Sequence, residues 1–249
     1  MPGKFDGFRA LHVPGDPLIL FNVWDAGTAV AKAKAGAKAI ATGSASVAAA
    51  NGFGDGEEVP MAFALANAER IAGSVEVPVT IDFEGGYAAD PGKLAENFAL
   101  LAATGAVGCN FEDQIVGGDG LWQIDEQCER LKAVRRGVGD AFFINARTDI
   151  FLKAKSDAHD AAAADAAIER SIAYADAGAS GYFIPGLANL ELVERITKAS
   201  PIPVNAMWFP GAPRNPQWAD VGIAQISHGP FPQIALITAF EKMAREALA

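Results

Sequence analysis

The stretch AGASGYFI, residues 177–184, passes from small helix-forming residues through Gly178 into an aromatic and β-branched run. A glycine just past a helical segment takes a positive φ at no steric cost and ends the helix. The residues after it have the character of a strand. The same phrase returns as AGAKAI at 35–40, TGAVGCNF at 104–111 and VGIAQI at 221–226, so Gly36, Gly105, Gly178 and Gly222 mark four helix-to-strand junctions built alike. Outward from these junctions the whole chain alternates. Strand candidates lie at 18–24, 38–43, 78–84, 108–112, 142–148, 181–185, 203–208 and 223–228. Helix candidates lie near 26–36, 60–73, 91–104, 125–137, 158–177, 189–199, 215–220 and 232–248. In the fifth of these, Ile168, Ile172 and Ala175 recur at i, i+4 and i+7, one face of a helix.

Eight β-then-α units in a row predict an α/β fold, a (β/α)8 TIM barrel, with a doubly wound sheet as the competing architecture. The 249 residues suit one such barrel, which typically takes ~250, and no low-complexity segment or long linker divides the chain. We therefore expect one domain over 1–249. Hydrophobic residues make up 51% and charged ones 20%, a soluble composition, and the net charge of −10 argues against nucleic acid or an anionic membrane as partner. No apolar run reaches the ~20 residues of a membrane span, and the N-terminus lacks the apolar core of a secretion signal. Two cysteines, Cys109 and Cys128, are expected to be reduced, and the expected compartment is cytoplasmic.

A barrel places chemistry at the C-terminal ends of its strands. The unusual polar residues fall there. In PVTIDFEGGYAADP (78–91), Asp82 and Glu84 interrupt an apolar run; Asn110 and Glu112 close the fourth strand, Asn145 and Arg147 the fifth, and Asn205 the seventh. Residues two apart on a strand share a face, so each pair is expected to point into one mouth. Asp82, Glu84 and Glu112, with Asp55 from the loop after the second strand, would repel one another there. An oxygen-only site of this kind suits Mg2+ or Mn2+. The alternative is a set of salt bridges, but Arg147 is the one basic residue on the neighbouring strand ends. Arg147 itself could grip a substrate carboxylate with its planar fork, or bridge to Asp149 or Glu112. TGSAS (42–46) offers backbone N–H groups and hydroxyls for an oxyanion.

Eight motifs in register, NVWDAGTA, TGSASVAAANGFGDGE, DFEGGYA, NFEDQ, NARTD, FIPG, PVNAM and ISHGP, resemble the isocitrate lyase/phosphoenolpyruvate mutase superfamily from Asn22 to about Phe231, nearest its short phosphonomutase-like members. The resemblance implies a Mg2+-dependent barrel acting on 2-oxo acids, assembled as a dimer or tetramer, whose last helix is often exchanged between subunits. It implies Asp82 as direct metal ligand, with Asp55, Glu84 and Glu112 holding metal-bound waters. It also implies a substrate site of Trp24, Gly43, Ser44, Ala45, Asp82, Arg147, Asn205 and His228, with Arg147, Asp55 and Glu112 as candidate catalytic residues. Family lyases carry a Lys-Lys-Cys-Gly-His-like loop after the fourth strand; this chain has IVGGDGLWQID (115–125), without Cys, Lys or His. Isocitrate or methylisocitrate cleavage by the usual route is therefore not expected.

The leading expectation is a lyase-like enzyme that breaks or rearranges a C–C bond beside a 2-oxo acid through a metal-stabilised enolate. P–C mutase chemistry and a catalytically weakened oxo-acid-binding barrel are the alternatives. His228, Asp25 and Tyr87 stand at plausible places for an acid or base, His228 equally as a hydrogen-bonded rim residue. His12 and His159 read as solvent-facing. Ile234, Ile237, Phe240 and Met243 give the last helix an apolar face that fits either a core-facing helix or subunit exchange.

Overall fold

The structure, a computed structural model, describes residues 3–249. Its elements in chain order are α1 (Lys4–Ala10), β1 (Leu18–Leu20), α2 (Ala26–Lys34), β2 (Ile40–Ala41), α3 (Ser44–Ala50), α4 (Met61–Gly73), β3 (Val79–Asp82), α5 (Pro91–Ala103), β4 (Gly108–Glu112), α6 (Ile124–Val138), β5 (Phe143–Arg147), α7 (Ile150–Lys153), α8 (Ala161–Asp176), β6 (Gly181–Phe183), α9 (Leu190–Ala199), β7 (Val204–Met207), α10 (Asn215–Asp220), β8 (Gln225–Ser227) and α11 (Phe231–Leu248). Every strand pairing is parallel, in the order β1-β8-β7-β6-β5-β4-β3-β2. The first strand pairs with the last, Ile19 opposite Ile226, which a doubly wound sheet cannot do. One parallel bridge, Val23 to Thr42, joins β1 to β2, with the Val23 N–H donating to the Ala41 carbonyl at 2.9 Å. The chain is a nearly closed (β/α)8 barrel.

The four junction glycines adopt the backbone their sequence requires: φ is 90° at Gly36, 89° at Gly105, 100° at Gly178 and 82° at Gly222. Outward-facing strand residues meet the helices. Phe83 and Phe111 pack edge-on against Phe98 of α5, with ring centroids 5.1 and 5.2 Å apart, an arrangement that adds to their burial. Cys109 and Cys128 are unpaired. Among the described residues no helix is long and apolar enough to cross a membrane.

Three features depart from the sequence reading. The strands are shorter than their apolar runs, so β3 ends at Asp82, and Glu84 lies beyond it with φ of 51°, in the left-handed region. The alternation that placed Asp82 and Glu84 on one strand face therefore stops before Glu84. Next, α1 was not foreseen. It plugs the N-terminal end of the barrel with Phe8 and with His12, which is 6% exposed and not solvent-facing. His12 stacks on Phe143 at 4.2 Å and hydrogen-bonds the Phe8 carbonyl and the Gln225 side chain. Finally, α11 leaves the barrel: Pro232 and Gln233 are buried, no residue beyond them is, and Phe240 is 63% exposed. The outer face of β1, which a helix following β8 would cover, is open, with Phe21 52% exposed beside a groove of about 630 Å³.

Candidate functional site

Three strands end at the mouth on a charged residue: β3 on Asp82, β4 on Glu112 and β5 on Arg147. A cavity of about 200 Å³ opens there. It brings together Gly43, Ser44, Ala45, Asp55, Asp82 and Arg147, all six named from the sequence. Asp82 accepts from the Ser44 backbone N–H at 3.0 Å and lies 3.4 Å from the Asn110 amide. The amide chain continues inward. Asn145 donates to Asn110 at 2.8 Å, and Asn205 donates to Asn145. This ladder crosses the barrel interior beneath the mouth and fixes the carboxylate at its top.

Glu112 and Glu84 stand behind the cavity. Glu112 is 2% exposed, 2.9 Å from the Arg147 guanidinium, and accepts from the Gln114 amide at 2.8 Å. Arg147 also holds Asp149 at 2.7 Å, so both bridges weighed for it from the sequence are present. Burial pushes the Glu112 carboxyl up to about 8, while Arg147 pulls it back and is itself held charged by Glu112 and Asp149. These two tendencies oppose each other; the 2.9 Å contact between Arg147 and Glu112 favours the ionised pair. Glu84 accepts from the Glu57 N–H, and Glu57 in turn accepts from the Tyr87 N–H at 2.8 Å. The turn carrying Glu84 needs glycine at 86: φ is 83°, and a Cβ would lie 2.6 Å from Leu94 and Phe98.

The salt-bridge alternative thus holds for Glu112 alone. Among the described residues no ion pair reaches Asp55, Asp82 or Glu84. Desolvation, then Asp82 and Asp55, push the Glu84 carboxyl up to about 8. Asp55, on an exposed loop with its carboxyl turned to the Ser44 hydroxyl, is raised by partial desolvation and then by Asp82. These acids feel one another's charge, yet among the described residues no three His, Cys, Asp or Glu groups enclose an ion by themselves. A hydrated Mg2+ asks for no such cage. Mg2+ is usually held by only one or two carboxylates and keeps several of its waters. A further space of about 20 Å³ between Ser44, Asp82, Glu84 and Tyr87 is the size of one water. The donor set fits.

Three residues expected at the substrate lie elsewhere. Trp24, in the bend between β1 and α2 rather than in a strand, lines the outer groove with Lys32 and Leu236. His228 stacks on Trp208 at 5.3 Å, and its N–H donates to Leu20 and Asn22, a hydrogen-bonded rim histidine whose pKa burial lowers. Asn205 is fully buried one layer down in the ladder. Asp25 caps α2, accepting from the Thr28 N–H at 2.7 Å. The Ser44 N–H, read as an oxyanion donor, is already engaged by Asp82. The sequence reading missed the far wall: Leu152, Phe183, Pro185, Met207 and Pro230. The last residues of β6 and β7 and the segments after β5, β6 and β8 were the available signal.

Comparison with known proteins agrees with the geometry. A family model described as phosphoenolpyruvate phosphomutase matches residues 8–248. A crystal structure from Burkholderia cenocepacia, provisionally assigned as a phosphonomutase, is 44% identical with a TM-score of 0.95, covering 98% of this chain and 98% of that one. An uncharacterized protein of Mycobacterium tuberculosis is 30% identical over 96% of this chain and 87% of its own length. Phosphonopyruvate hydrolase, solved with oxalate and Mg2+, is 20% identical with a TM-score of 0.84 over 99% of this chain and 88% of that one, a likeness of fold.

Proposed function

The chain belongs to the phosphoenolpyruvate phosphomutase family, within the isocitrate lyase/phosphoenolpyruvate mutase superfamily of Mg2+-dependent enzymes that act on oxo acids, and on that premise we propose that it is a Mg2+-dependent enzyme cleaving or rearranging the C–C bond next to a 2-oxo acid. The supporting observation is that Asp55 and Asp82 line a cavity that also holds Arg147, with Glu84 beside Asp82 behind it, and that none of the three acids has an ion pair among the described residues. Asp82 would hold the ion directly, with Asp55, Glu84 and Glu112 against its waters. When bound, Mg2+ would supply Lewis-acid stabilisation of negative charge developing on the 2-oxo acid. Arg147 is braced by Glu112 and Asp149, and its Nη2, without a hydrogen-bond partner among the described residues, would orient the carboxylate.

The C–C preference rests on the scarcity of positive charge, since a phosphoryl group needs more than one guanidinium to grip it. A panel of 2-oxo diacids, their aldol adducts and phosphonopyruvate, assayed with Mg2+, is expected to show C–C cleavage products; turnover of phosphonopyruvate alone would reverse the choice. The β4–α6 loop has no Cys, Lys or His, and this favours a second reading, a barrel that binds an oxo acid without converting it. Tight calorimetric binding with no product over hours would establish that one.

We also propose that α11 of one copy covers the β1 groove of another. Ile234, Leu236, Ile237, Phe240 and Met243 are exposed on α11, and the groove has the missing helix's place in the barrel. Lys32 Nζ is buried in that groove without a hydrogen-bond partner among the described residues, and desolvation lowers its pKa to about 7. Glu241, Lys242, Arg245 and Glu246 leave α11 with no net charge, so the match is one of apolar surface. A chain ending before Gln233 is expected to elute as a monomer where the intact chain does not; an unchanged oligomer would count against the exchange.

A further inference from the structure

The mouth cavity has two unlike halves. One carries Asp55, Asp82 and the Arg147 guanidinium; the other is Leu152, Phe183, Pro185, Met207 and Pro230. Arg147 is the only cation lining the cavity among the described residues. Its Nε is held by Asp149 at 2.7 Å and its Nη1 by Glu112 at 2.9 Å, so one amino group remains for a ligand. Lys153 and Lys155, next to Leu152, are exposed and outside the lining, and His228 faces away against Trp208. The polar half can seat one anionic head. Beside the apolar half the cavity lining adds only the neutral side chains of Asn22 and Ser227, so a second anion would lose its hydration there with no cation to replace it. A hydrocarbon gains what a charge loses. The volume of about 200 Å³ equals roughly six waters, enough for an oxo-acid head and a short chain.

From this division we infer that the site selects a singly charged 2-oxo acid, or an adduct yielding one, with a hydrocarbon substituent of a few carbons beyond the reacting centre, in preference to one bearing a second carboxylate or a phosphonate. The inference rests on the metal and oxo-acid reading above and narrows it. Oxaloacetate and 4-methyl-2-oxopentanoate supply the comparison, since an isopropyl group replaces a carboxylate of nearly the same shape.

The experiment is calorimetry of the Mg2+-loaded full chain, with oxalate as the probe of the head site alone. Oxalate is expected to bind, and each methylene added from pyruvate to 2-oxopentanoate tightens binding about fourfold, the ~0.8 kcal/mol of a buried methylene expressed as a ratio. 4-Methyl-2-oxopentanoate is expected to bind at least tenfold more tightly than oxaloacetate or phosphonopyruvate. Met207→Lys, which puts a cation in the apolar half, should reverse that order. Oxalate binding combined with equal or tighter binding of the dianions would overturn the inference and leave the metal-site reading standing. Failure of oxalate itself to bind would remove that reading, and this inference with it.

Discussion

Asp82→Asn is expected to weaken Mg2+ binding by at least about 100-fold and to lower kcat/KM by about 1,000-fold. The substitution keeps the side chain's shape and removes only its charge. Asp82 stands at the top of the Asn110–Asn145–Asn205 ladder and at the Ser44 N–H, so its position is fixed by the fold. A purely structural aspartate would lose stability on neutralisation. Here the opposite sign follows, because Asp82 raises the pKa of both Glu84 and Asp55, and removing like charge relieves that repulsion. The metal-free variant should melt no lower than the parent while its Mg2+ titration collapses. Parent-like Mg2+ affinity would defeat the assignment.

Arg130→Met is expected to cost roughly 3 to 5 kcal/mol, from several lost hydrogen bonds and a lost cation–π stack. Arg130 is 3% exposed, lies 4.5 Å from the centre of the Trp122 ring, and donates to the carbonyls of Gly85 at 2.9 Å, Ala88 at 3.0 Å and Ala89 at 3.2 Å. Methionine fills the space and leaves those three carbonyls without their donor. For a chain of this size the loss amounts to a Tm drop of about 10 °C or more. The same carbonyls belong to the turn that carries Glu84 and Tyr87, so Mg2+ affinity should weaken as well. Arg130→Lys should recover little, since a single ammonium cannot reach three acceptors in a fork. A Tm within about 2 °C of the parent would show that the turn holds itself.

The repeated glycine junctions and the acids at strand ends made the barrel and its mouth legible, because both follow from local chemistry. Strand ends did not. Apolar character runs on to Glu84, but the strand ends at Asp82: backbone bonds to β4 continue through Glu84, whose positive φ already belongs to the Gly85–Gly86 turn. His12 reads as a surface residue because its partners, Phe143 and Gln225, are more than 130 positions away. The apolar wall of the cavity was hidden for a related reason: Phe183, Met207 and Leu152 look like ordinary core, and only closure of the ring turns them toward Asp82. The exposed face of α11 was readable, but nothing in one chain's pattern says whether a helix covers its own barrel or another.

A barrel stoppered at its base by Phe8, His12 and Phe143 has a single doorway. Whatever enters must leave the way it came. On the proposed chemistry a reactant split in two would depart in sequence, the piece lodged against Leu152 and Pro230 first, the piece seated on Asp82 and Arg147 last. The last to go would contend with each fresh arrival, so accumulation of that fragment, rather than of its sibling, would throttle turnover.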